Sequence, residues 1–323
     1  MLSYILRRIL YTVPVLFGVL LFTFVLFYAT QTPEDMARRA LQQKATPENI
    51  ARFIHERGLD KPKYLNFEQG RPLWDSQFCH HFVSLLKLDL GKADLSRKDL
   101  NAEFKRGAFY SLAITVPAFI VGLLTAVALS LYLVLVRNSL LDTFGVFLCA
   151  AMLSIPTMVY VIFGQSLAVT LQWVPVFGIK TAWPEILHFV LLPVALMVVA
   201  GLGADVRLYR SIFMEEIAQD YVRTARAKGV ANFRLLFVHV LKNGAISLIT
   251  LVVAALPLLV LGSIVVENFF GIPGLGSLIS LAIQDSDFAI IRASVWCGSL
   301  LYMAGLLLTD LCYAAADPRI RLS

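Results

Sequence analysis

Two short runs hold side chains that could act as metal ligands. Cys79-His80-His81 is the densest set of soft ligands, but a zinc site needs three or four convergent ligands and no fourth is evident. Its apolar neighbours, Phe78, Phe82 and Val83, favour an amphipathic helix that packs one side. His55-Glu56 begins like a zinc protease motif, yet Leu59 stands where the second histidine is required. Packing is therefore favoured over metal chemistry at both runs.

Two further runs come close to nucleotide-binding motifs. Gly91-Lys92 is followed by Ala93, and Leu86 occupies the place of the first glycine, so the P-loop pattern fails. In residues 271–276 the glycines are in the wrong order for a dinucleotide loop and no strand precedes them, which favours a rigid external turn. We therefore expect the chain to hydrolyse no ATP, to be no enzyme and to hold no cofactor.

A polar stretch, residues 205–243, is where the sequence predicts contact with a partner, because apolar runs flank it on both sides. Within it, residues 219–229 predict a short helix that ends at Gly229, since glycine adopts the left-handed conformation without a Cβ clash. Arg226 and Lys228 suit the negative end of the helix dipole. Two small side chains would let another backbone approach: Ala225 and Ala227. The alternative interpretation is a basic loop attracted to anionic lipid.

The composition is that of a membrane protein. Of 323 residues, 58% are hydrophobic and 15% charged, against about 25% charged in soluble domains. The net charge of +6 lies mostly in two segments between apolar runs, as membrane topology requires, so a nucleic-acid partner is not expected. The four cysteines show no CxxC spacing, which argues against a disulfide framework or a zinc site.

Apolar runs long enough to cross a bilayer predict six membrane-spanning helices. They are residues 9–30, 109–136, 140–171, 186–204, 244–266 and a run from Ile290 that ends near residues 310–316. Pro156 is expected to kink the third span and Pro193 to break the fourth. The acids Asp142, Asp205, Glu267 and Asp310 fall at or near span ends, so no proton relay is expected. Residues 267–288 predict a turn-rich external segment.

Basic residues concentrate on one predicted side of these spans, which places both termini and residues 205–243 in the cytoplasm. We expect an N-terminal span (1–30), an extracytoplasmic segment (31–106), a membrane-spanning core (107–316) that includes the cytoplasmic loop 205–243, and a cytoplasmic tail (317–323). Residues 31–106 carry many cations, but the rule counts mainly short loops, so an external location stands.

Three runs, together with weaker matches at residues 154–156 and 173–175, resemble the permease subunits of ABC importers of the dipeptide/oligopeptide class. The first is Arg210-Ser211 with Gln219-Asp220-Tyr221-Val222-Arg223-Thr224-Ala225-Arg226-Ala227-Lys228-Gly229. The second is Val266-Glu267-Asn268-Phe269-Phe270-Gly271-Ile272-Pro273-Gly274-Leu275-Gly276, and the third is Asp310-Leu311-Cys312-Tyr313 with Asp317-Pro318-Arg319-Ile320-Arg321. Relative to the loop pattern of permeases at large, Arg223, Thr224, His239 and Lys242 are departures. Residues 68–105 match the class poorly, which weakens any inference about the cargo.

The resemblance implies an all-α, type I ABC importer permease in a bacterial cytoplasmic (inner) membrane. Expected partners are a homologous second permease, two ABC ATPases that use the ATP, an extracytoplasmic substrate-binding protein and membrane lipid. Two residue sets carry over: ATPase coupling by Asp220, Tyr221, Ala225, Arg226, Ala227, Lys228 and Gly229, and an external-loop signature of Glu267, Pro273, Gly274 and Gly276. Peptides are the first cargo expected. Nickel, sugars and antimicrobial peptides are alternatives, and an ATP-independent secondary carrier is a more distant one.

Overall fold

The chain is built from helices, as the sequence predicts. A computed structural model describes residues 2–29, 32–41, 45–64, 66, 72–172, 174–180 and 185–316. Within these residues the one β feature is an isolated bridge between Lys92 and Asp99. The all-α prediction is confirmed. Trp173, Trp183 and the predicted tail, 317–323, lie outside the described residues.

One compact unit comprises residues 1–106 and 278–304. Its first four helices are α1 (Leu2–Ala29), α2 (Pro33–Leu41), α3 (Pro47–Glu56) and α4 (Gln77–Leu86). The side chains of Thr46 and Ser76 accept from backbone N–H groups in the first turns of α3 and α4, the usual N-cap arrangement. Residues 31–106 therefore hold short capped helices rather than a flexible linker.

Aromatic side chains hold α1 against α4 in this unit. The fully buried ring of Phe24 meets Phe78 edge-on at 5.2 Å, and Phe17 meets Phe82 at 5.8 Å. The predicted packing of Phe78 and Phe82 is confirmed, whereas Val83 is exposed. The same apolar cluster includes Phe53 from α3, so α1, α3 and α4 share one core.

The second compact unit comprises residues 107–277 and 305–323. The remaining elements, some of which run from one unit into the other, are α5 (Leu100–Leu135), α6 (Leu140–Leu153), α7 (Thr157–Leu171), α8 (Glu185–Ile217), α9 (Asp220–Ala227), α10 (Asn232–Arg234), a π-helix (Leu235–Val240), α11 (Leu241–Leu261), α12 (Ile264–Phe270), α13 (Leu275–Asp285) and α14 (Phe288–Ala316). Its largest core gathers side chains from α5, α6, α8, α9, the π-helix and α11.

Four helical segments are long and apolar enough to cross a membrane: Leu100–Leu135, Glu185–Ile217, Asn232–Phe270 and Phe288–Cys312. The bent pair α6 and α7 makes a fifth if it forms one span, and α1 contributes a shorter apolar helix, Leu10–Leu26. A multi-pass membrane protein is confirmed. The count of six spans and the cytoplasmic location of both termini stay predictions.

Two prolines behave differently from expectation. The predicted span 140–171 is not one kinked helix, because α6 ends at Leu153 and α7 begins after Pro156 with a bend of 92°. Pro193 does not break the fourth span but lies inside the continuous α8. Pro156 is the extended N-cap residue of α7, whereas Pro193 removes only one hydrogen bond from a long helix.

The segment 267–288 is mostly helical, so the expectation of a turn-rich stretch was wrong. Ser263 caps α12, which ends where Gly271 adopts a left-handed conformation, and α13 follows after only four residues. Gly271, Pro273 and Gly274 lie in the four-residue turn, whereas Gly276 is part of α13. Local composition could not show that apolar residues 275–285 continue as a helix.

Candidate functional site

The polar stretch 205–243 is not a free loop in the structure. Its first thirteen residues continue α8, which ends at Ile217, and its last residues belong to the π-helix and α11. Asp205, expected near a span end, is half-buried twelve residues before α8 ends. A short reversal at Ala218 and Gln219 then leads into α9. The protruding part is therefore one short helix held between two long ones.

The predicted short helix and its glycine stop are confirmed. Beyond α9, the N–H of Gly229 donates to the carbonyl of Arg226 at 2.9 Å, and that of Val230 donates to Ala225 at 3.2 Å. This pair of bonds is the Schellman motif, which needs a left-handed residue at Gly229, and its φ is +77°. Asp220 in the first turn and Arg226 in the last complement the helix dipole.

One face of α9 is fixed to the chain's own core. Val222 is fully buried among α8, the π-helix and α11, and Ala225 packs against the same cluster. The hydroxyl of Tyr221 donates to Glu216 at the end of α8 at 2.8 Å, and burial raises the pKa of Tyr221, which keeps this donor protonated. Ala225 is thus small because its own chain packs there, rather than because a partner approaches on that side.

The opposite face of α9 is exposed and basic. Arg226 and Ala227 are exposed on the helix, as are Lys228 and Gly229 directly after it, and Arg223 pairs with the exposed Asp220 at 3.3 Å. A Cβ added at Gly229 would meet no atom of the described chain within 4 Å. Five of the seven predicted coupling residues therefore share an accessible surface (Asp220, Arg226, Ala227, Lys228 and Gly229), whereas Tyr221 and Ala225 support it from behind.

A close helix crossing supports this surface. Phe213 on α8 is fully buried and lies against Gly244 near the start of α11, where an added Cβ would come within 3.0 Å of the ring. The chain reaches α11 through the π-helix, whose Leu235, Leu236 and Val240 are buried in the same cluster. This rare wide turn brings those three side chains to the α9 side.

An ion pair that the sequence analysis missed joins α8 to the start of α6. Nε and one terminal nitrogen of Arg210 donate to the two carboxylate oxygens of Asp142 at 3.1 and 2.9 Å. Asp142 is buried, which corrects the expectation that it sits in water at a span end. The available signal was a lone acid on an apolar run and an arginine on the polar stretch, but sequence gives no reason to pair residues 68 positions apart.

Three of the predicted external-loop residues, Glu267, Gly274 and Gly276, are buried where α12 leads into α13, whereas Pro273 is exposed. Glu267, expected near the membrane surface, is only 1% exposed. Its carboxylate accepts from the Ser111 hydroxyl at 2.8 Å and from the N–H groups of Ser263 and Ser277 at 3.1 and 2.9 Å. A Cβ on Gly274 would overlap this carboxylate, so the glycine is needed for space. Pro273 lies in the same turn, and Gly276, in the first turn of α13, also packs against Glu267, which supports the interpretation as a structural element.

The Cys79-His80-His81 run has other roles in the structure. His80 is exposed and contacts the Asp75 carboxylate at 3.0 Å. His81 is largely buried, and desolvation lowers its pKa to about 3, with the charge of Arg292 as a second cause. Among the residues that the structure describes, no three His, Cys, Asp or Glu side chains are placed to hold a metal ion.

Comparison with known proteins identifies the family. Residues 108–322 match the model of the binding-protein-dependent transport system inner membrane component, and residues 1–71 match the model of its N-terminal region. The glutathione transport system permease protein GsiC of Salmonella typhimurium is 31% identical over 99% of both chains, as is the GsiC of Pectobacterium atrosepticum. A putative peptide transport system permease protein of Brucella abortus is 29% identical, also over 99% of both chains.

The predicted family, its inner-membrane location and its non-enzymatic nature are thereby confirmed. Such a component is the permease of an ABC transporter, and it works with an ATPase and a substrate-binding protein. With its first match covering more than half of the sequence, the chain belongs to the family of binding-protein-dependent transport system inner membrane components.

Proposed function

We propose that this chain forms half of the path by which an ABC importer carries di- or oligopeptides across the inner membrane. The other half is a homologous second permease, two ATPase subunits use the ATP, and an external binding protein delivers the cargo. The permease holds no cofactor of its own. In this proposal residues 31–106 are extracytoplasmic, and the part of the stretch 205–243 that follows α8 is cytoplasmic.

The cargo class is supported by the names of the relatives. One is called a peptide permease and two are called glutathione permeases, and glutathione is itself a tripeptide. The match extends over 99% of the chain in each case, so it includes the segments that would meet the cargo. Nickel, sugar and antimicrobial-peptide transport have no comparable support.

The observation that carries the coupling proposal is the two-sided character of α9. Its inner face is tied to α8 through Val222 and the Tyr221–Glu216 hydrogen bond, so the helix moves as a rigid body with α8. Its outer face offers Arg226 and Lys228 to an acidic groove on the ATPase. When the ATPases close on ATP, a helix with these properties transmits the displacement to the spans.

A second permease is supported by the large apolar surfaces that the helices of this chain leave uncovered. Leu140 and Phe147 on α6 and Phe163 on α7 are each more than 60% exposed. Within the most apolar window of α14 only 11% of residues are buried. Lipid covers part of such surfaces, and the homologous subunit covers the part that faces the path.

A bulky side chain on the outer face of α9 tests the coupling proposal. Ala227→Trp places the ring on an exposed helical position, whereas a tryptophan at Gly229 would add backbone strain to bulk. We expect ATPase capture by the purified permease pair, and ATP-driven peptide uptake in proteoliposomes, to fall roughly tenfold or more. Ala51→Trp, at an exposed alanine of α3, is the matched control and should leave both unchanged.

Two results would contradict the proposal. Undiminished ATPase capture by Ala227→Trp would remove α9 from the contact. Uptake that proceeds without any ATPase would instead identify a secondary carrier.

A further inference from the structure

We propose that Asp205 receives the positively charged amino terminus of the cargo peptide, an inference that rests on the peptide transport proposed above. A cavity of about 160 Å³ lies between α5 and α8 and extends to Leu259 of α11. Among the described residues that line it, Asp205 is the one with a charge. A carboxylate in an otherwise apolar membrane cavity marks a site for a cation.

Asp205 has no cation of its own within the described part of the chain. It is half-buried, its carboxylate lies beside Gly201 one turn earlier, and none of the described residues forms an ion pair or hydrogen bond with it. The buried acids of the same unit are satisfied differently, Asp142 by Arg210 and Glu267 by three donors. A half-buried carboxylate without such partners is costly unless an occupant supplies the charge.

The size of the cavity indicates which part of a peptide enters. About 150 Å³ accommodates a benzene-sized group, so the cavity takes one end of the cargo rather than a whole peptide. The lining includes small residues such as Ala118 and Gly122 and apolar ones such as Phe119 and Met197. An ammonium group carried on a small apolar residue fits this lining.

Other cations fit less well. Calcium, a hard divalent ion, takes six or more oxygen ligands, and one carboxylate does not supply them. Tyr209, one turn further along α8, lines the same cavity and adds an aromatic ring, a side chain that attracts alkylammonium groups. The geometry therefore favours an organic ammonium over a metal ion.

The test uses the full transporter in proteoliposomes, with the binding protein loaded beforehand and in excess so that its own affinity does not enter. ATP-dependent uptake of trialanine is compared with uptake of N-acetyl-trialanine, which lacks the charge. Asp205→Asn should lower the trialanine rate about tenfold or more and the N-acetyl rate less than twofold. Asp205→Glu should stay within about threefold of the unmodified protein.

Controls separate this role from a structural one. Glu185→Gln changes an acid at the start of the same helix that pairs with Lys180 on the surface, and it should alter neither rate. Asp205→Ser provides a second neutral variant. The measured quantity is the ratio of the trialanine rate to the N-acetyl-trialanine rate. A general loss of folding lowers both rates alike and leaves this ratio unchanged.

Three outcomes would overturn the inference. Equal loss for both peptides would mean that Asp205 pairs with a cation of the second permease or supports the fold. Unchanged trialanine uptake by Asp205→Asn would refute the contact and leave peptide transport standing. Failure of the unmodified transporter to import either peptide would refute the peptide cargo, and the inference with it.

Discussion

Arg210 on α8 donates hydrogen bonds to both carboxylate oxygens of Asp142 on α6. The same carboxylate accepts from the N–H of Asn138, in the turn after α5, at 3.2 Å. The Asp142 side chain therefore joins α6, α8 and the turn after α5 in the second compact unit, near the end of α8 that leads to α9. Any displacement of α9 that moves α8 has to carry this turn along or break the pair.

The first prediction concerns this pair. Arg210→Ala leaves a buried carboxylate without its cation and should destabilise the chain by about 3 kcal/mol. Replacing both partners, Asp142→Asn with Arg210→Met, should cost clearly less, because no charge is left behind. Thermal unfolding of the detergent-purified protein measures both. Arg207→Ala, at an exposed arginine of the same helix, is the control, and an equally large loss there would remove the special status of the pair.

The second prediction concerns Gly229. Because an added Cβ meets no atom of the described chain, Gly229→Ala should cost only the strain of a left-handed conformation, about 1 kcal/mol. Gly229→Asn should cost less, since asparagine tolerates this conformation. Thermal unfolding of the two variants is the measurement. If asparagine proved as harmful as alanine, backbone conformation would not be the reason for the glycine.

The third prediction concerns Glu267. Glu267→Ala removes the acceptor for three donors at once and should cost about 3–5 kcal/mol. Glu267→Gln keeps one acceptor oxygen but turns an amide towards backbone N–H groups, so an intermediate loss of about 1–3 kcal/mol is expected. Ser111→Ala removes one of these donors. It also leaves the N–H of Leu275, which donates to the Ser111 hydroxyl at 2.9 Å, without its partner. Of these three variants, Glu267→Ala should lower the unfolding temperature most. An unchanged unfolding temperature for Glu267→Ala would contradict its role as a buried anchor.

The fourth prediction is a pH dependence from His81. Burial holds its folded pKa at about 3, below the ordinary 6.5, so between these values only the unfolded chain binds the proton. Stability from this group is full above pH 6.5 and declines as the pH falls towards 3. At pH 5 the loss relative to pH 7 should be about 2 kcal/mol.

Replacement identifies the group. His81→Phe, next to the ring of Phe24 at 6.3 Å, should remove this part of the pH dependence of thermal unfolding. His55→Gln, at an exposed histidine, should leave it in place. If both variants kept the full pH dependence, another group would be responsible.

Patterns that depend on neighbouring residues in sequence predicted much of this molecule. The helix that ends at Gly229 and the long apolar runs follow from periodicity, capping and composition. These signals work because the backbone of a helix is satisfied within itself. The surface proposed for coupling could be located for the same reason, since Arg226 is exposed on this short helix and Lys228 directly after it.

Features that depend on distant residues could not be predicted in this way. The sequence placed Glu267 near the membrane surface. In the structure its carboxylate is buried and accepts a hydrogen bond from Ser111, 156 positions earlier in the chain. Ala225 looked like a contact point for another protein, but its neighbours turned out to be α8 and the π-helix. Pro156 and Pro193 look alike in sequence, and only the packing around them decides whether the helix ends or continues.

The 92° bend between α6 and α7 has a consequence for what surrounds it. The carbonyl of Met152 is satisfied there by the N–H of Ile155 and by the hydroxyl of Tyr160 at 2.9 Å. Residues 154–156 themselves are exposed on this chain. Hydrocarbon offers no partner to an interrupted backbone, so this corner turns away from the lipid tails and towards water or another polypeptide.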